Sequence, residues 1–300
     1  MKIILSRKGF DSEAGGCASP IFPGGSMASF PIPWATAKHQ MKEVVCRGHN
    51  LGDVARDLTR RRLLKNQIHG DSEIHLDPDL NRPQASRHID WRPAFGQDGR
   101  AQTHLENQGV DIGDLFLFFG WFHQVDKFKE HWDFIRGTRD VHVIFGWLQV
   151  GSILRVGKYP TPGLYHPWLE EHPHIQNAGK FPCNNTIYIA SDKLVIDGKV
   201  TRPSGGGTFD TFASSRQLTH PEPEGSGRAT WQLPTWFAKL NSKRTHALSH
   251  HEDPDRWEFQ KTYPSHVKLA SVYRGQEFVM SPDKRTCGQA SDWLLNQIFV

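Results

Sequence analysis

The chain has 300 residues, 37% of them hydrophobic, and its 36 basic and 32 acidic side chains give a formal net charge of +4. That length can bury a sizeable core without disulfide or metal staples. The mild basic excess permits a nucleic-acid partner but lacks the concentrated stripe of a dedicated non-specific binder. Cys17, Cys46, Cys183 and Cys287 lie far apart with no C-x-x-C pair, which excludes a zinc framework of that spacing and a secreted disulfide scaffold.

In chain order, residues 2–6 read as a short buried strand, and the apolar run there is too short for a signal peptide. A Gly-, Ser- and Pro-rich loop leads to an edge strand at Met27 to Ile32, and the two strands suggest a wide N-terminal hairpin. Residues 50–66 suit a helix with Asn50 as its N-cap and a basic end at Arg56 to Lys65, a run that reads as a solvated helix face. From His69 to Ala101 the chain is polar and rich in turn residues, and Gln102 to Gln108 reads as a short helix.

The clearest pattern follows. Leu115 to Phe122 and His142 to Gly151 are apolar runs of strand length, and both contain Phe-Gly-Trp, with Gly120 and Gly146 in the same place. A glycine inside a strand marks a bulge, a bend or a close approach by another group. Two neighbouring strands bent at matching points predict a curved sheet. Thr186 to Ala190 and Phe278 to Met280 read as further strands, Gly205 to Phe209 as a flexible turn, and Ser291 to Phe299 as a helix. The expected fold is α+β: a curved mixed or antiparallel sheet, or a small β-barrel, elaborated with helices and long loops in one domain over residues 1–300. No stretch approaches the roughly 20 apolar residues of a membrane span, and the cytoplasm is the expected location.

Three groups of residues could carry chemistry. Arg7, Lys8, Asp11 and Ser12 follow a strand end, where Arg7 and Lys8 could hold phosphate and Asp11 could accept from a base amino group or act as a base. The same residues would also make an ordinary charged strand end with an Asp-Ser turn. Trp121, Trp147, Gln149, Asn184 and Asn185 combine aromatic faces with amides, as recognition of a nucleobase requires, although aromatic residues on a buried strand are more often core. Seventeen histidines include two similar clusters, His75-x-Asp77-x-Asp79 and His250-His251-x-Asp253-x-Asp255. Imidazole with carboxylate suits zinc, iron or manganese. Asp-Pro-Asp is also a turn and helix-start signal, and no established metal-protease spacing is present. No metal site and no cofactor is assigned from the sequence.

Lys2 to Ser12, with Gly15-Gly16, Ser19-Pro20-Ile21 and Pro31-Ile32-Pro33, resembles the third of the nucleotide modification associated domain families. His75 to Leu80, Gly113 to Phe122, Phe145 to Gly151, Asn184-Asn185-Thr186 and Gly275 to Val279 carry the same resemblance over nearly the whole chain. The resemblance implies a bacterial or phage protein of α+β fold that works in nucleic-acid modification. The Gly-Asp before one strand and the Val-Gly ending the next are similar to PUA and ASCH-type barrels, which bind RNA or modified bases.

The leading expectation is therefore a protein that recognises a base or nucleotide within a DNA- or RNA-modification system, with nucleic acid or nucleotide as partner alongside other enzymes of the system. Trp121 or Trp147 would stack the base, Arg7, Lys8 and Arg92 would meet phosphate, and Asp11, Gln149 and Asn184 would supply polar contacts. One alternative is a base-modifying glycosylase or transferase using Asp11, Asp77 or His104 in acid–base roles. Another is a metal-dependent hydrolase using His75, Asp77, His250 and His251.

Overall fold

A computed structural model describes the chain except residues 36, 62–66, 82–87, 222–226, 239–247 and 273–275. Its centre is a nine-stranded mixed sheet. We name its strands β1 (Ile3–Arg7), β2 (Ser19–Ile21), β4 (Ala94–Gln97), β5 (Leu115–Phe128), β6 (His131–Phe134), β7 (Val141–Arg155), β8 (Thr186–Ala190), β9 (Gly206–Thr208) and β13 (Glu277–Met280). Strand β3 (Glu73–His75) belongs to a small separate sheet, and β10 (Thr230–Pro234), β11 (Trp257–Phe259) and β12 (His266–Ala270) form another. The helices are α1 (Leu51–Thr59), α2 (Gly99–Asn107), α3 (Pro173–Gln176) and α4 (Cys287–Trp293).

The main path runs β13-β1-β5-β7-β8-β4. The expected N-terminal hairpin does not form. Instead β1 pairs parallel with β5 and antiparallel with β13, so the two ends of the chain meet in one sheet. The segment from Met27 contributes no strand until the short bridge at Ile32–Pro33. Both Phe-Gly-Trp strands are present and longer than the motif, and they pair with each other. Their register slips between Ile144 and Gly146, so the second glycine sits at a bulge as expected. Neither glycine leaves room for a flat ligand. A Cβ on Gly120 would lie 2.9 Å from the Lys8 carbonyl oxygen, and one on Gly146 would lie 2.7 Å from Leu80 Cδ1 and 3.0 Å from the Gly207 carbonyl oxygen.

The period of two sorts side chains between the two faces. Ile3, Leu5, Leu115, Leu117, Phe119, Phe278 and Met280 pack with Trp231 and Trp293 on one face. Ile4, Phe116, Phe118, Val279, Phe95 and Tyr188 pack on the other, with Leu105 of α2. The sheet curves so far that its end strands approach each other, but they are joined by side chains: Gln97 of β4 donates to Glu277 of β13 over 2.6 Å. No backbone ladder links them among the described residues, so the sheet is not a closed barrel.

The helices are shorter than, or shifted from, the expected ranges. Asn50 does cap α1, accepting from Gly52 N and Asp53 N. In the basic run, Arg60 and Arg61 reach Asp133, while residues 62–66 lie outside the described residues. Helix α2 begins earlier than expected, at Gly99, and the C-terminal helix begins at Cys287 and changes to a π-turn at Leu294–Ile298. Gly206–Thr208 pairs as β9 with β7 where a flexible turn was expected. Among the described residues no helix is long and apolar enough to cross a membrane.

Candidate functional site

Alternation along β1 separates two residues that the sequence groups together. Arg7 continues the Ile3–Leu5 face and lies over Phe119 and Phe278, where Nη2 donates to the Val272 carbonyl. Lys8 continues the Ile4–Ser6 face, and its Nζ stands 4.6 Å from the Phe95 ring centroid. Adjacent residues of an extended strand point to opposite sides, so Arg7 and Lys8 cannot hold one phosphate together.

On the Lys8 side, β1, β4 and β13 bring polar groups to one end of an aromatic core. Lys8 Nζ bonds Glu277 Oε1 over 2.8 Å, and Gln97 Nε2 donates to the same oxygen. Glu277 is 1% exposed, and its Oε2 has no partner among the described residues. A buried carboxylate oxygen without a donor is costly, since hydrogen bonds to charged groups contribute about 1.5–3 kcal/mol. Glu277 and Gln97 wall a cleft of about 470 Å³ with Asp98, Gly99, Arg100, His104 and Gln276. Asp98 precedes α2 but makes no side-chain cap bond. Burial raises its pKa, opposed by nearby His75 and Lys8. His104 is stacked on His250 at 4.2 Å and bonded to Ser249 Oγ, and burial, then His250, lowers its pKa.

A second cluster adjoins this cleft through β4. The backbone bridge between Asp79 and Ala94 sets the turn of residues 75–79 against β4, which brings Asp77 opposite Gly96. Asp77 Oδ1 accepts from Gly96 N over 2.8 Å and lies 3.5 Å from His172 Nε2. Asp77 Oδ2 lies 3.6 Å from His75 Nε2 and 3.7 Å from His174 Nε2. Burial alone would raise the Asp77 pKa, but His172, His75 and His174 outweigh it and hold the carboxyl well below its usual range. Burial lowers the His174 pKa to about 3 despite Asp77.

Asn185 fixes the orientation of His174. Its Nδ2 donates to the carbonyls of Gly157 and His174, so Oδ1 is the atom that accepts from His174 Nδ1 over 2.6 Å. The neutral ring therefore presents a bare Nε2 toward Asp77. Phe181 stacks on His174 at 4.2 Å, and a Cβ on Gly96 would fall 2.2 Å from the His174 ring, so that glycine is a condition of the packing.

Of the residues singled out from sequence, Lys8, His75, Asp77, His104, Asn185 and His250 lie in or beside this region, and the following have partners elsewhere. Asp11 closes its own turn, accepting from Glu13 N and Ala14 N. Arg92 pairs with Asp192. Trp121 lies under the Arg228 guanidinium, 4.0 Å from its ring centroid. Trp147 donates to the Ser204 carbonyl and packs on Phe209 and Phe299. Gln149 donates to the Gly113 and Val195 carbonyls and accepts from Val195 N. Asn184 ties down the start of α2, accepting from Gly99 N and donating to the Gly99 carbonyl and Thr103 Oγ1. His251 and His75 do not share a site, since His251 is held by Ser249 and Ser271.

Sequence reasoning missed Gln97, Asp98, Arg100, His172 and His174, and Glu277 entered it only within Arg274 to Phe278, polar groups before a strand that read equally as a pocket rim or an ordinary loop. The available signal was His172-Pro173-His174, two imidazoles in alternate positions like His75-x-Asp77.

No curated protein and no solved structure matches this chain. Over residues 2–281 the sequence matches the family described as nucleotide modification associated domain 3, and the chain belongs to that family.

Proposed function

We propose that, within a nucleotide-modification system, this protein binds a base or nucleotide in the cleft between β4, the start of α2 and β13. The carrying observation is Glu277. One of its oxygens is held by Lys8 and Gln97, and the other, buried at the cleft wall, lacks a donor among the described residues. An exocyclic amino group or ring N–H of a base supplies such a donor, and a ligand site characteristically combines a few fixed polar groups with apolar surroundings. Exposed Arg100, in the first turn of α2, supplies a cation for phosphate where the helix N-terminus also favours negative charge. The cleft volume of about 470 Å³ suits a nucleotide-sized ligand.

Calorimetric titration with nucleoside monophosphates and short single strands tests this reading. Glu277→Gln should weaken binding more than about tenfold, the scale of one lost charge-assisted hydrogen bond. Arg100→Ala should weaken phosphorylated ligands while sparing the nucleoside. Equal affinity in wild type and both variants would sink it.

A second reading, a base-modifying enzyme, is favoured by Asp98, a carboxylate in the cleft that does not cap its helix and stands beside His75 and Lys8. It requires that Asp98→Asn abolish turnover while leaving ligand affinity within about threefold.

A further inference from the structure

We propose that His75, Asp77 and His174 bind one divalent first-row transition-metal ion through His75 Nε2, Asp77 Oδ2 and His174 Nε2.

Donor atoms of the three residues lie within 4.8 Å of one another. Because Asn185 accepts from His174 Nδ1, the Nε2 facing Asp77 carries a lone pair, as does Asp77 Oδ2 3.7 Å away. Two buried acceptors turned toward each other with no proton between them repel, and a cation reverses the sign of that contact. The same separation is too long for a hydrogen bond. So is the 3.6 Å from His75 Nε2, so neither imidazole makes a hydrogen bond of proper length to that oxygen.

The other side of the carboxylate is arranged as support. Asp77 Oδ1 takes the Gly96 amide, which leaves Oδ2 as the free oxygen. His172 Nδ1 accepts from His174 N over 3.3 Å, so the neutral ring carries its proton on Nε2, 3.5 Å from Asp77 Oδ1. His172 is 4% exposed, and that Nε2 has no bond of proper geometry among the described residues. It becomes a donor to the carboxylate if Asp77 turns slightly toward the ion. Ligand imidazoles are commonly oriented in this way by a partner on the second ring nitrogen, and ligand carboxylates by further hydrogen bonds. An ion at about 2.1 Å from each ligand needs them roughly 3–3.5 Å apart, a contraction within reach of side-chain rotation.

Two imidazoles and one carboxylate without thiolate suit zinc, iron(II), manganese(II) or cobalt(II), and suit calcium or magnesium poorly, since those ions take oxygen ligands. Three protein ligands leave at least one coordination position for water or a substrate oxygen. The site adjoins the nucleotide cleft, because Gly96 braces Asp77 while its neighbours Gln97 and Asp98 wall that cleft. The metal proposal stands independently of the nucleotide reading and is tested by different means.

The full chain, stripped with a chelator and dialysed, is titrated with Co²⁺ while the visible absorption is followed, and then back-titrated with Zn²⁺. We expect one ion per chain, with micromolar or tighter affinity, and d–d bands without thiolate charge transfer. Asp77→Asn and His174→Gln should each lower affinity more than about 100-fold, and His172→Gln by about tenfold or more, as for an outer-shell partner. His250→Gln, outside the proposed ligand set, should leave it unchanged. Circular dichroism checks that each variant folds. For any that does not, His75→Gln replaces it, since that side chain is 12% exposed. The melting temperature of the stripped wild type decides independently of every variant: Zn²⁺ should raise it, because an ion bound only by the folded chain stabilises it by mass action. Absence of stoichiometric binding by Zn²⁺, Co²⁺, Fe²⁺ and Mn²⁺, or binding that survives both Asp77→Asn and His174→Gln, overturns the proposal.

Discussion

The turns at His75-Leu76-Asp77-Pro78-Asp79 and His251-Glu252-Asp253-Pro254-Asp255 are spelled alike and fold into opposite roles. In the first, Asp77 is buried against the Gly96 amide and three imidazoles. In the second, Asp253 and Asp255 are exposed, and Asp253 caps a short 3₁₀ turn by accepting from Asp255 N. His251 is buried there and bonds backbone and hydroxyl groups. Its Nδ1 donates to the Ser249 carbonyl, and its Nε2 accepts from Val272 N. A remote loop separates the two cases: His172 and His174 reach the first turn and have no counterpart at the second among the described residues. Spelling supplies the donors, and tertiary pairing decides whether they converge.

The largest difference should appear when each carboxylate is removed. Asp77→Ala leaves the Gly96 amide without its acceptor and takes a buried carboxylate from among three imidazoles, and should cost about 3–5 kcal/mol, the range for breaking a buried charged contact. Asp253→Ala removes one cap and should cost about 1 kcal/mol. Urea unfolding of both variants measures the gap. Equal costs would erase the distinction between the turns.

Acid should then reveal the histidine of the second turn. Burial, opposed by the bond to the Ser249 carbonyl, lowers the His251 pKa from 6.5 to about 4. The unfolded chain therefore binds the extra proton between those values, and stability is full above about pH 6.5, falls as pH drops, and stops falling from this source below about pH 4. The difference corresponds to roughly 3 kcal/mol at most. Buried His142 and His174 act in the same direction, so His251→Gln should shallow the slope without flattening it. An unchanged slope would mean that His251 keeps its ordinary affinity for protons.

A smaller probe is the glycine that only the first turn needs. Gly96→Ala would drive a methyl group into the His174 ring, and overpacking of this kind costs about 1–3 kcal/mol. The change should also disturb the convergence of His174 on Asp77, so stability and Co²⁺ affinity should fall together. A stability loss with intact Co²⁺ affinity would detach Gly96 from the site.

How much of this was legible depended on the distance over which each residue finds its partner. The Phe-Gly-Trp strands were readable because a run of apolar residues declares a buried strand wherever it pairs, and Gly146 announced its bulge. The Asn50 cap was readable because it acts on residues 52 and 53. The N-terminal hairpin was misread because β1 pairs with β5 and β13, more than 100 residues away. Lys8 and Asp77 stood out locally as dense chemistry, and Glu277 as part of a polar run before a strand, but neither the Lys8–Glu277 pairing nor His174 was visible, since that pair spans 269 positions. The aromatic residues misled for the opposite reason. Trp147 looks like a platform on a strand, but Phe209 and Phe299 come from distant segments to enclose it.

The smallest expected effect tests the comparison most severely. Asparagine caps a helix start nearly as well as aspartate, because both offer a side-chain oxygen to the same amide. If Asp253 does nothing beyond accepting from Asp255 N, then Asp253→Asn should change stability by less than about 0.5 kcal/mol, with only the small loss of a charge near a short turn's positive end. Asp77→Asn cannot be so mild. The amide still accepts from Gly96 N through its oxygen, but its NH₂ replaces the oxygen that faces His75 and His174, and the negative charge is lost. The same one-atom exchange thus asks of both turns whether charge or shape matters. A cost above about 1 kcal/mol at Asp253 would mean that its carboxylate holds something more than a cap, and the second turn would then deserve the same search for a ligand as the first.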